Sequence, residues 1–256
     1  MLSTWSLWRC MIAAIAVAGI AASTAKAAEP KYAWEVKKGN NAAETLKEGE
    51  KLELVPTLVS PAIEIAWTRN AVKIKIKCTS AGWRSEAPER VDVIGGKPGR
   101  MGESITKGLA MALSGCTVEE PLGCEVAGNA ITTEALRGEL VSNPKKEEAG
   151  WIRLETANSI FMPITLEADC GAAKGTASVV GELLVELNPE KGLKETLEFK
   201  PNSSLGEYLI AGGNKLKIAT LYSAAGCGPV SPVTVGGKFG AKLFLTKTEK
   251  AEFGFS

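Results

Sequence analysis

Val72-Lys73-Ile74-Lys75-Ile76-Lys77-Cys78 alternates apolar and charged residues without a break. A period of two is the signature of a strand with one face buried and the other wet. Here the wet face is a row of lysines. Just upstream lies Ile63-Glu64-Ile65-Ala66-Trp67, with Thr68-Arg69-Asn70-Ala71 between the two runs. That spacing predicts a β-hairpin. Lys51-Leu52-Glu53-Leu54-Val55 alternates as well, and Pro56 and Pro61 then interrupt, which suits sheet edges.

The same reading extends downstream. Leu109 to Ser114, Trp151 to Glu155, Ile160 to Glu167, Ala177 to Glu186, Leu193 to Phe199, Lys215 to Leu221 and Lys238 to Thr246 are short runs rich in β-branched or aliphatic residues. Gly, Pro, Asn and Ser clusters separate them, among them Asn188-Pro189-Glu190-Lys191-Gly192. Many short strands with frequent turn signals predict an all-β, mostly antiparallel fold, a sandwich or a barrel. Only Ala42 to Glu50 and Thr132 to Arg137 offer a helical alternative, each about two turns long.

The N-terminus follows different rules. Met1 to Arg9 carries one positive charge, Met11 to Ala22 is an unbroken apolar or small-residue run, and Ala25-Lys26-Ala27 matches the A-x-A cleavage pattern. The run is about 12 residues, whereas a spanning helix needs roughly 20. Residues 1–27 are therefore expected to be a helical signal peptide. The secreted part is 28–256, one β domain or two small ones, with no membrane span after cleavage. Cys10 precedes the apolar run and cannot be a lipidated N-terminus. A transmembrane barrel is disfavoured, because aromatics are few and the lysine row would have to face a lumen.

Composition narrows the chemistry. Loss of Arg9 and Lys26 takes the formal charge from +1 to −1. A near-neutral chain lacks the clustered basic excess of a nucleic-acid binder. Histidine is absent, so histidine bases, histidine metal ligands and serine–histidine–acid triads are excluded. Asp92 and Asp169 are the only aspartates, too few for a calcium loop. No cysteine spacing suits zinc, and the Gly-rich stretches lack the order of a phosphate-binding loop. No cofactor and no metal site are expected.

Leu113-Ser114-Gly115-Cys116-Thr117-Val118-Glu119-Glu120-Pro121-Leu122-Gly123-Cys124, followed by Ile131-Thr132-Thr133-Glu134-Ala135-Leu136-Arg137-Gly138-Glu139-Leu140, is distinctive. With Lys77-Cys78-Thr79-Ser80 before it and Glu167-Ala168-Asp169-Cys170-Gly171 after it, the pattern resembles a family of uncharacterised exported proteins of high-GC Gram-positive soil bacteria. The resemblance covers roughly residues 60 to 200. It implies export and β structure and brings no activity. Cys227 departs from the pattern.

An exported chain meets oxidising conditions, so its cysteines are expected to pair. Cys116 and Cys124 bracket a turn-forming loop and are the first expected pair. Cys78 and Cys170, each at a strand end, are the second. Cys227 is left over, either free or bridged to another molecule.

Two function classes remain. One is a non-catalytic extracellular module that binds a partner such as a glycan or a cell-envelope component. The other is a polysaccharide-active enzyme, since glycoside hydrolysis needs only two close carboxylates. Glu64, Glu182 and Glu186 read as solvated strand faces. Trp67 and Trp151 read as core residues. Trp83 stands in a loop-like context, Ala81-Gly82-Trp83-Arg84-Ser85.

Overall fold

The computed structural model describes residues 33–57, 62–84, 91–96, 98–101, 110–141, 150–156, 160–187, 193, 196–202, 207–209, 215–217, 222–224, 231–237, 239–244 and 250–255. The signal segment and Cys227 lie outside these residues. Strands dominate, and every pairing among the described strands is antiparallel, as the alternation predicts.

The hairpin forms as read. Ile63–Arg69 and Val72–Arg84 pair from Arg69↔Val72 to Ile63↔Cys78. Only Asn70 and Ala71 are left for the turn, with φ of 49° and 63°. Two left-handed residues in a two-residue loop match the twist of the flanking strands. Asparagine tolerates that conformation, whereas alanine does so at a cost of roughly 1–2 kcal/mol. Along the strands Ile63, Ile65, Trp67, Ile74, Ile76 and Cys78 are buried and the lysines point away. The second strand continues to Arg84, beyond the expected stop at Cys78, because Ala110–Glu120 pairs along its whole length. Thr234–Gly236 and Ala130–Thr132 flank these three strands in a five-stranded sheet.

A second five-stranded sheet runs in the order Ser231–Pro232, Tyr222–Ala224, Gly175–Val180, Ile160–Ala168, Cys124–Val126. Its Val126, Phe161, Ile164, Leu166, Ala177 and Val179 join the inner residues of the first sheet in one continuous apolar core. The buried Thr133 helps carry the chain between them. Its hydroxyl accepts the Met111 N–H at 2.8 Å, and the next residue, Glu134, donates its N–H to Phe161 carbonyl at 2.9 Å.

The remaining strands, apart from a small hairpin of Glu207–Leu209 with Lys215–Lys217, form an eleven-stranded sheet. Within it Thr196–Asn202 pairs with both Leu183–Leu187 and Phe239–Phe244, so the ladder returns on itself through eight strands. Trp34–Lys37 pairs with Lys250–Phe255, which ties the two ends of the described chain together. Trp34 is buried, donates its indole N–H to Arg100 carbonyl at 3.1 Å and lies 6.4 Å from the Phe253 ring.

Three local expectations are corrected. Ala177 to Glu186 is two strands, Gly175–Val180 and Leu183–Leu187, which belong to different sheets. Gly181, with φ of 113°, makes the break between them. Neither helical candidate is a helix. Glu44–Thr45 and Leu136–Val141 are strands, because so short a segment gains more from pairing with a neighbour than from one or two isolated turns. The only helical turns among the described residues are the 3-10 segments Ala127–Asn129 and Gly171–Ala173.

Ala71→Gly is expected to raise the unfolding free energy by about 1 kcal/mol, since glycine adopts left-handed φ freely. Denaturant titration checks this, and a loss of stability would contradict the turn geometry.

Candidate functional site

The four expected cysteines form two bridges, with partners exchanged relative to the expectation. Cys78 bonds Cys116, and Cys124 bonds Cys170. Cys78 and Cys116 are direct register partners on adjacent strands, with Cα atoms 3.9 Å apart. The expected Cys116–Cys124 loop does not turn back at once, because Thr117 to Glu120 continue the strand. Those four residues carry the chain roughly 13 Å beyond Cys116. The turn at Pro121 to Gly123 then delivers Cys124 to the second sheet, beside Ala168. Ala168 has φ of 54°, and Cys170 N–H bonds back to its carbonyl at 2.9 Å. That curl brings Cys170 to Cys124.

The register also explains two of the motifs. Cys78-Thr79-Ser80 lies antiparallel to Ser114-Gly115-Cys116, with Ser80 opposite Ser114. Gly115, with φ of 60°, sits between them, and a Cβ there would collide with the Thr79 hydroxyl. Any other residue at 115 would be strained by about 1–3 kcal/mol.

Two lysines of the row, Lys73 and Lys75, are paired across strands. Lys73 Nζ lies 3.0 Å from Glu120, and Lys75 Nζ lies 2.7 Å from Glu119 and 3.8 Å from Glu64. Together with Thr68, Thr117 and Thr234 these residues make the outer face of the first sheet polar. The hydrogen bond to Glu119, reinforced by the charges of Glu119 and Glu64, holds the Lys75 ammonium above its ordinary pKa. The same bond holds Glu119 below the ordinary glutamate value.

A second charged group sits on the large sheet, and the sequence reading missed it. Arg153 Nη2 lies 3.1 Å from Glu155 and 3.3 Å from Glu139, while Nη1 lies 4.0 Å from Glu182. Arg137 pairs with the other oxygen of Glu155. Glu64 is exposed as expected, and Glu182 and Glu186 are half-buried. The register that creates this group, Glu139↔Arg153 and Arg137↔Glu155, is invisible until the strands are paired. Glu139 and Glu155 are therefore two close carboxylates, but both are bound to one guanidinium. Trp34, Trp67 and Trp151 are all buried and present no stacking face to a sugar. The Trp83 side chain lies outside the description.

Comparison of the chain with protein-family models, with curated proteins and with solved structures finds no match. Among the described residues no helix is long and apolar enough to cross a membrane.

Because Glu119 is harder to protonate folded than unfolded, its stabilising contribution is present above the ordinary glutamate range. It is lost as pH falls through the lowered folded value. The Lys75 contribution is present below the ordinary lysine range and is lost as pH rises through the raised value. Carboxyl NMR is expected to place the Glu119 midpoint below that of an unpaired glutamate, and Lys75→Met should move it upward. An unmoved midpoint would refute the pairing.

Proposed function

We propose that this chain is exported and acts outside the cell as a non-catalytic β module that binds a glycan or another cell-envelope component. The signal-like residues 1–27 and the resemblance to exported proteins support export. Two buried disulfides agree with an oxidising destination. The observation that carries the non-catalytic reading is the state of the carboxylate pair Glu139 and Glu155. Glu139 and Glu155 are clamped by Arg153, and Arg137 takes the second oxygen of Glu155. A glycosidase needs its two carboxyl groups on either side of the scissile bond with a sugar between them. Here a guanidinium occupies that position.

Binding draws on the outer face of the first sheet. Its ammonium, carboxylate and hydroxyl groups alternate across adjacent strands, and such groups exchange hydrogen bonds readily with sugar hydroxyls or envelope polymers. Repeated ligands along a polymer would strengthen such binding.

Two measurements test the reading. Mass spectrometry of the secreted product should find an N-terminus at or near Ala28, and an intact Met1 would contradict export with cleavage. Purified protein should be retained on insoluble bacterial or plant polysaccharides without releasing reducing sugar. Turnover abolished by Glu139→Gln or Glu155→Gln would instead establish the carboxylate enzyme.

A further inference from the structure

The lysine row on the outer face of the first sheet is partnered unevenly. Lys73, Lys75 and Lys77 lie two residues apart, roughly 7 Å along the strand. The neighbouring strand Ala110–Glu120 supplies Glu120 to Lys73 and Glu119 to Lys75. At the next step it supplies Thr117, the direct register partner of Lys77. A hydroxyl thus stands where the pattern would place a third carboxylate. On the other side Glu64 is the register partner of Lys77, but its carboxylate lies 3.8 Å from Lys75. Among the described residues no carboxylate lies within ion-pair distance of Lys77.

The surroundings of Lys77 are open to solvent and can hydrogen-bond. Its side chain is half-buried, while Thr117 and Thr79, the next outward residue on its own strand, are exposed. The Thr117 hydroxyl donates to the Lys77 carbonyl at 3.4 Å, so its oxygen keeps lone pairs for an outside donor. At the far end of the same row stands Gly236, where a Cβ would meet nothing within 4 Å. The charge of Lys77 is felt across this face. It adds to the Lys75 hydrogen bond and charge that hold Glu119 below its ordinary value. An ammonium offers three donors and no acceptor, so an anionic oxygen is its natural partner. Carboxylate is the group that the two neighbouring lysines already hold.

We propose that the Lys77 end of this face recognises the carboxylate of an acidic polysaccharide, with the Thr79 and Thr117 hydroxyls bonding the adjacent sugar hydroxyls. The inference rests on the reading of the chain as a glycan-binding module. It names the class of glycan, a polymer of uronic acids in preference to a neutral one.

The test measures binding of the purified protein to immobilised polygalacturonate and to the same polymer with its carboxylates methyl-esterified. At low salt the free-acid polymer is expected to bind more tightly, and added sodium chloride should remove the difference. Lys77→Gln is expected to weaken binding to the free acid about two- to fivefold, the range of one exposed ion pair, and to leave the ester unchanged. Lys174→Gln removes the same charge at an exposed residue beside the second sheet and should change neither. Equal binding of the two polymers overturns the inference and leaves the module reading standing. So does unchanged affinity in Lys77→Gln, or a loss that Lys174→Gln matches. If neither polymer binds, the inference fails, and the module reading falls only if the neutral polysaccharides fail to retain the protein as well. The wild-type comparison of acid and ester decides the matter even if a variant does not fold.

Discussion

Cys116 is bonded to the residue directly opposite it on the neighbouring strand. That single cross-strand contact fixes the register of Ala110–Glu120 against Val72–Arg84, the longest pairing among the described strands. Since side chains alternate, a slip of one residue would turn the whole buried set outward. The lock also sets where the strand ends, hence where Pro121 to Gly123 turns and where Cys124 enters the second sheet. Cys124 then takes Cys170, and the second sheet is held at the end where the chain crosses. The two bridges close consecutive segments, with sequence separations of 38 and 46. In the chain-entropy account each contributes about 4 kcal/mol, and because the loops do not overlap their effects add. A domain's net stability is typically 5–15 kcal/mol, so the bridges together weigh as much as the balance they support.

What the sequence reveals follows from how local each signal is. The Val72 to Cys78 alternation is a property of adjacent residues, and it predicts both the strand and its buried face. The hairpin turn at Asn70 and Ala71 is equally local. Trp67 and Trp151 are core residues as read, because an indole on an alternating strand has little option but to bury. The disulfide partners are not local. Their assignment depends on whether Thr117 to Glu120 is loop or strand, and a short segment between two cysteines reads as loop until its neighbour is known. Once Cys78-Thr79-Ser80 is laid against Ser114-Gly115-Cys116, Gly115 and the bridge become one device. The division of Ala177 to Glu186 at Gly181 is hidden in the same way, since one glycine separates strands of two sheets.

Charge is organised by pairing across strands. The lysine row reads as a block of like charge along the chain, yet the fold sets Glu119, Glu120 and Glu64 against it. Arg153 gathers three glutamates from three segments in the same way. Among the described residues these glutamates serve as counter-ions on sheet faces. Arg69 breaks this habit, with a backbone carbonyl as its only partner among the described residues.

The most direct test of this account is the connectivity of the disulfides. Non-reducing digestion that cuts after Glu119 separates Cys116 from Cys124. Mass spectrometry should then recover Cys78 linked to Cys116 and Cys124 linked to Cys170. Recovery of Cys116 linked to Cys124, or of Cys78 linked to Cys170, would contradict the register on which both five-stranded sheets are built.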